Sequence, residues 1–316
     1  ARQRYRPPHP ALHAAWLRGQ AAGGPEPAPG GVRRLVGRRI VPDADGERRV
    51  ALLLTRARLR LVVDDPGLVF PDLDTALSLA SSVQQQSLVL LARAEACEAI
   101  GDYASAREDL ARLLAFDDAG ADAIRADAEQ TLGRIERDHG DLGQAIELLE
   151  SAHGRLARPG ADADRVAEAS LDLAMALRLA GDTARSIALL EAIVPTADPE
   201  LVPRLLMQIG TTHAFAGEHV LALAAWERAL PALADPVDRA IARYNRAVSL
   251  RDLGEFDRAR DELHRALVDN AGVNPRVDSD ALLLLGIVER EAENYQQSLT
   301  SLAEALQLAP EGDPQG

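Results

Sequence analysis

Gly101-Asp102-Tyr103-Ala104-Ser105-Ala106 is a phrase that this chain repeats. It returns as Gly140-Asp141-Leu142 with Ala145 and as Gly181-Asp182-Thr183 with Ser186. Gly217-Glu218-His219 with Ala222 and Gly254-Glu255-Phe256 with Ala259 follow, and Glu293-Asn294-Tyr295 with Ser298 is the last copy. Taking the first residue of each phrase as an anchor, the copies are spaced by 36 to 41 residues. The flanks keep step. Seven residues before each anchor stands Ala94, Gly133, Ala174, Gly210, Ala247 or Gly286. Nine after stands Leu110, Leu149, Leu190, Trp226, Leu263 or Leu302. Twelve after stands Leu113, Ala152, Ile193, Ala229, Ala266 or Ala305, and Pro310 falls seventeen after the last anchor.

A fixed period of this length is the mark of stacked supersecondary units. Apolar residues on each side of the anchor recur at helical spacing, so each unit reads as helix, tight turn, helix. The small residue before the turn lets the second helix approach the first. A glycine at the anchor can take the left-handed conformation that ends a helix. One hairpin cannot bury both of its apolar stripes, so neighbours must stack. Trp226 is expected to lie buried against Gly210.

These spacings resemble the tetratricopeptide repeat, with its Gly or Ala before a turn, then Ala, a large apolar residue and finally Pro. The resemblance implies an all-α, right-handed solenoid of antiparallel helical hairpins with a concave groove lined by the first helices. It covers six repeats in residues 86–310. The few residues beyond the usual unit of about 34 fit loops such as Asp117-Asp118-Ala119-Gly120 and Arg158-Pro159-Gly160. Residues 48–85 read as an irregular, cap-like hairpin, in which the connection Asp64 to Phe70 is too long for the standard turn. Residues 1–47 form a Pro/Gly/Arg-rich segment that is partly linker, with a short helix around Trp16, and residues 311–316 are a tail. The natural protein is expected to continue past Pro310. The alanine-rich style, above all Leu205 to Leu267, resembles arrays in large actinobacterial signalling proteins, including those that carry a CHAT protease domain.

Composition agrees with a folded helical array. The 316 residues are 47% hydrophobic and only 3% aromatic. The net charge is −14, but residues 1–60 hold thirteen Arg against four carboxylates, net +9, which leaves −23 on the rest. So acidic a body repels nucleic acid and anionic membranes, and neither is expected as a partner. No apolar run approaches the roughly 20 residues of a membrane span. All the basic side chains except His are Arg. The single cysteine, Cys97, excludes an internal disulfide and fits the cytoplasm.

Nothing points to catalysis, a metal or a cofactor. The seven His stand at no metal-ligand spacing with Cys or carboxylates. The Gly-rich run 23–31 lacks the Lys-Ser/Thr of a phosphate loop. Asp43-Ala44-Asp45-Gly46-Glu47 lacks the distal Glu of a calcium loop, with Leu54 in its place. Arg33, Arg34, Arg38, Arg39, Arg48 and Arg49 come with no DNA-binding motif and read as a solvated basic arm. The candidate site is the groove that the resemblance implies. Three residues before the anchor stand Arg137, Arg178, Arg251 and Arg290; Asn245 takes a position where the family often has a groove Asn, with Gln208 one repeat earlier. Met175, Met207 and Tyr244 add apolar surface. The expected partner is another protein or peptide carrying acidic residues or a free C-terminus. The rival reading is a peptide-sensing regulator attached to a DNA-binding or ATPase output domain.

Overall fold

A computed structural model describes residues 46–63, 66–116, 122–158 and 162–308. Arg33, Arg34, Arg38 and Arg39 of the basic arm, the Gly-rich run, the short helix around Trp16, Pro310 and the tail therefore lie outside the described residues, while Arg48 and Arg49 stand in the first helix. Every regular element described is helical. In order these are α1 (Gly46–Val63), a 3-10 turn (Pro66–Val69), α2 (Phe70–Leu79), α3 (Val83–Ile100), α4 (Tyr103–Leu114), α5 (Asp122–His139), α6 (Leu142–Leu156) and α7 (Ala163–Leu179). Then follow α8 (Thr183–Ile193), α9 (Val202–Phe215), α10 (His219–Ala229), α11 (Pro236–Asp252), α12 (Phe256–Asn270), α13 (Pro275–Glu291) and α14 (Tyr295–Leu308). Two compact units meet within α7: unit 1 ends at Asp172 and unit 2 begins at Leu173. Each is a stack of helical hairpins.

The turns explain the phrase. The residue at the anchor has positive φ at Gly101, Gly181, Gly217 and Gly254, and also at Glu293. In all five turns its N–H bonds the carbonyl three residues back, and the next N–H bonds the carbonyl five residues back from itself, as Glu255 does to Leu250 at 2.8 Å. This pair of bonds is the Schellman ending, and it satisfies carbonyls that the helix would leave open. Asp102, Asp141 and Asp182 then cap the second helix by accepting an N–H from Ser105, Gln144 and Arg185. Gly140 departs from the expected left-handed form. There the Glu136 carboxylate folds over the turn and accepts the Asp141 N–H at 3.2 Å. A Cβ on Gly140 would stand 1.7 Å from that carboxylate, so this glycine provides room.

Within each hairpin, the small residue before the anchor faces the large one after it. A Cβ added at Gly210 would stand 2.5 Å from Trp226 Nε1, and one at Gly133 or Gly286 would stand 2.6 Å from Cγ of Leu149 or Leu302. Trp226 is 1% exposed and donates its indole N–H to Met207 O at 3.2 Å. Where the repeat has Ser in place of Ala, the hydroxyl finds a carbonyl across the hairpin. Ser186 Oγ donates to Ala174 O at 2.8 Å, and Ser298 Oγ to Gly286 O at 2.7 Å.

The first hairpin follows the same rule on a different turn. Counted from Asp64, it has Ala57 seven before, Leu73 nine after and Ala76 twelve after, all fully buried. The 3-10 segment replaces the glycine turn, which is why the phrase is absent there.

Candidate functional site: the first-helix faces

The first helices of successive hairpins touch one another within each unit, α1 to α3 and α3 to α5 in unit 1, and α9 to α11 and α11 to α13 in unit 2. Side chains between these contacts make up the two candidate surfaces.

In unit 1 the surface is a belt of alternating charge. Arg134 on α5 reaches Glu98 on α3 at 3.0 Å and Asp172 on α7 at 3.8 Å. Gln130 Nε2 donates to Asp172 at 2.7 Å. Arg137 contacts the same Asp172 at 3.2 Å and Asp138 at 2.8 Å. Arg165 on α7 pairs with Asp127 on α5. Glu95 sits among these groups, and burial raises its carboxyl to about 7 although Arg58 and Arg134 pull it down. Burial likewise raises Asp127, against the pull of Arg165. Of the sequence candidates only Arg137 belongs to this belt, and its guanidinium is already held by two carboxylates. Glu95 and Arg134 were missed. They occupy the position six before the anchor, which Met175 holds in its own repeat.

Unit 2 carries the other candidates, and its surface is less charged. Arg178 Cζ lies 5.8 Å from the centre of the Phe215 ring, within cation–π range. Met175, Met207, Gln208, Tyr244 and Asn245 are all partly buried. The Gln208 side-chain nitrogen is shut off from solvent and has no hydrogen-bond partner. Tyr244 packs against the cluster of Ala247, Leu250, Leu284 and Val288. Burial raises its phenol, with Asp280 adding to the shift and Arg251 opposing it, so Asp280 and Arg251 share the neighbourhood of the ring. Arg251 Nη2 is 2.6 Å from Asp252. Arg290, the most exposed of the four arginines, is 3.7 Å from Glu291. Three of the arginines thus contact the carboxylate that follows them in sequence, a pattern visible in the sequence and not used there.

Cys97, the other group of potential chemistry, is a buried free thiol pushed up to about 11 by burial and the nearby Asp109 and Asp102.

The tetratricopeptide-repeat family model matches residues 131–201 and 244–313. Together the two stretches make up less than half of the chain, and each is similar to the tetratricopeptide repeat. The α9–α10 hairpin, with the Gly210–Trp226 contact, lies between the two matches. No curated protein matches the chain. Among solved structures, the apo form of RapI is 15% identical, covers 84% of this chain and 77% of its own, and has a TM-score of 0.69. The nearly identical TPR-like repeats of a putative kinesin light chain from Podosopora anserina are 16% identical, cover 58% of this chain and 94% of their own, and have a TM-score of 0.51. At these identities the likeness establishes the fold alone, a tetratricopeptide-like helical solenoid. Among the described residues no helix is long and apolar enough to cross a membrane.

Proposed function

We propose that this scaffold is non-catalytic and binds a segment of another protein on the first-helix face of unit 2. Fold alone does not name a ligand, so the reading rests on the site. Its main support is the contrast between the two faces. In unit 1 the charged groups largely satisfy one another across α3, α5 and α7. In unit 2 Arg178 lies over the Phe215 ring and Arg251 near Tyr244; Met207 and Arg290 hold the equivalent positions in neighbouring repeats, and the Gln208 amide nitrogen lacks an acceptor. A partner segment with Asp, Glu or a free C-terminal carboxylate would meet the arginines, and its apolar side chains would lie on Tyr244 and Met207. Asp252 and Glu291 compete for those arginines, so each exposed contact is worth only about 0–1 kcal/mol and weakens with salt. Affinity must come from several contacts around an apolar anchor. The buried, unpaired Cys97 supports work in a reducing compartment such as the cytoplasm. The resemblance of Leu205–Leu267 to arrays of CHAT-associated signalling proteins supports a recognition role inside a larger protein.

The test is an array of acidic peptides, each made with a free and an amidated C-terminus. It is probed with the wild type, with Arg251→Ala/Arg290→Ala and with the second-helix control Arg258→Ala/Arg265→Ala. Binding lost only in the first variant supports the site. Equal binding by both variants would place the partner elsewhere.

A further inference from the structure

The first and last described helices expose the two halves of the surface that joins the repeats. Consider first the helix that receives a preceding hairpin. The residues twelve and five before the anchor are Val89 and Ala96, Ala128 and Ile135, Ala169 and Ala176, Leu205 and Thr212, Ala242 and Ser249, Ala281 and Val288, and all are at most 1% exposed. In α3 these residues cluster with Val69 and Leu73 of the hairpin before, and in α13 with Leu263 and Leu267. The same positions in α1 are Leu52 and Leu59, and they are 44% and 46% exposed.

Consider next the helix that receives a following hairpin. Two, six and thirteen residues after the anchor, the described side chains of the other repeats are all at least partly covered. Tyr103 stacks on His139 with ring centres 3.9 Å apart, Phe70 packs in one cluster with Cys97, Leu223 in one with Leu250, and Leu267 in one with Ala281. In α14 these positions are Tyr295, Leu299 and Leu306, exposed at 62%, 63% and 77%. They line one stripe of the helix.

The charges on the two ends are opposite. α1 holds five arginines against Glu47, net +4, while α13 and α14 together hold two arginines against five carboxylates, net −3. We propose that a second copy of this chain docks head to tail, with its α1 laid on α14 as each first helix lies on the second helix before it, so that Leu52 and Leu59 cover Leu299 and Leu306. The two surfaces differ, so the contact is heterologous, leaves one free end of each kind, and lets further copies add.

Sedimentation velocity over a concentration series tests this on the full chain. The wild type is expected to show an average mass that rises with concentration and passes beyond the dimer, and added salt should lower it. The head-blocked variant Leu52→Asp/Leu59→Asp and the tail-blocked variant Leu299→Asp/Leu306→Asp should each stay monomeric, with association weakened at least tenfold. Their equimolar mixture keeps one intact contact and should stop at the dimer. All four leucines are exposed in the single chain, so the variants should keep the wild-type circular dichroism. If one does not, Leu→Ser at the same sites provides the comparison. A wild type that stays monomeric throughout overturns the proposal, whether because residues 1–45 cover α1 or because the ends take a different partner. Association that either variant leaves unchanged, or a mixture that grows past the dimer, overturns it as well.

Discussion

Replacing Gly210 by Ala adds a single methyl group, and in an ordinary helix that change stabilises by about 1 kcal/mol. Here it should destabilise. The new Cβ would stand 2.5 Å from Trp226 Nε1 and 2.7 Å from Cδ1 and Cε2, where ordinary contacts begin near 3.5 Å. About 1 Å of overlap must then be relieved by moving either α9 from α10 or the indole. The indole has little freedom, being 1% exposed and bonded to Met207 O. Overpacking costs about 1–3 kcal/mol, and an overlap of about 1 Å against a buried, hydrogen-bonded indole belongs in the upper part of that range, so after the helix gain of about 1 kcal/mol the net loss should be about 1–2 kcal/mol. The reasoning also fixes the sign of a second change. Trp226→Leu alone should cost about 1–3 kcal/mol, less than the roughly 3–5 of truncation to Ala, because it leaves a smaller void. Once leucine is there, Gly210→Ala recreates the Ala–Leu pair of Ala94 with Leu110 and Ala247 with Leu263, and should now stabilise by about 0.5–1 kcal/mol. Urea unfolding followed by far-ultraviolet circular dichroism measures all four members of the cycle. A Gly210→Ala protein as stable as wild type while Trp226 is present would refute the contact.

Gly254 has φ +76° with open space around it, so Gly254→Val should lose about 1–3 kcal/mol through backbone strain alone; an unchanged midpoint in the same unfolding assay would contradict the left-handed turn. Glu95 has its carboxyl raised from 4.5 to about 7, so between those values the folded chain holds a proton that the unfolded chain releases, and stability falls as pH rises through that window. Glu95→Gln should therefore stabilise by about 1–2 kcal/mol near pH 8 and have little effect near pH 4; equal effects at both would show that the carboxyl is not raised. Glu136 and Glu289 behave in the opposite sense. Arg107 and Arg260 hold their carboxyls below the usual range, so the stability they supply should be present above about pH 4.3 and be lost in acid, and Arg260→Met should flatten the acid limb of the curve. Cys97 is 3% exposed and pushed up to about 11, so a thiol reagent near pH 8 should label it only as fast as the chain opens; immediate labelling would place it at the surface.

The fold was legible because it depends on local, repeated features. The turn phrase, the small residue before it and the large one after it each report a contact inside one hairpin, and Trp226 against Gly210 follows from spacing alone. The first hairpin was only half legible, since its turn is built from the Pro66–Val69 segment and lacks the glycine phrase, although Ala57, Leu73 and Ala76 keep the register. Gly140 misled in a different way. Its neighbours Asp141 and Leu142 match the phrase, yet the Glu136 side chain takes the role that a backbone carbonyl plays elsewhere. The charged belt of unit 1 was not legible, because Glu95, Glu98, Arg134 and Asp172 come from three helices and no local pattern marks them as neighbours.

The arginines show why the groove was the hardest part to read. A guanidinium in this array either joins two helices or lies at the exposed end of its own. Eight residues before and after the anchor, Arg56 with Asp72 at 2.6 Å, Arg93 with Asp109 at 2.6 Å and Arg246 with Glu262 at 3.6 Å clasp the two helices of a hairpin. Where the clasp is missing, the same positions hold Leu132 and Leu148, or Ile209 and Ala225. Six after one anchor and four before the next, Arg107 with Glu136 and Arg260 with Glu289, both at 2.6 Å, tie neighbouring hairpins, and Phe70 with Cys97 or Leu223 with Leu250 fill those positions elsewhere. A charge pair and an apolar pair are thus interchangeable at these joints, as expected where a buried ion pair and a hydrophobic pair of similar size differ little in net stability. Such arginines belong to the framework, and breaking one leaves a buried carboxylate uncompensated. Three before the anchor the job varies: Arg137 on α5 still reaches Asp172 on α7, whereas Arg251 and Arg290 have their ion pairs, among the described residues, at the exposed end of their own helix, with Asp252 and Glu291. Neither contact ties one helix to another, so under the proposed function a partner's carboxylate would take either arginine without breaking a joint between helices.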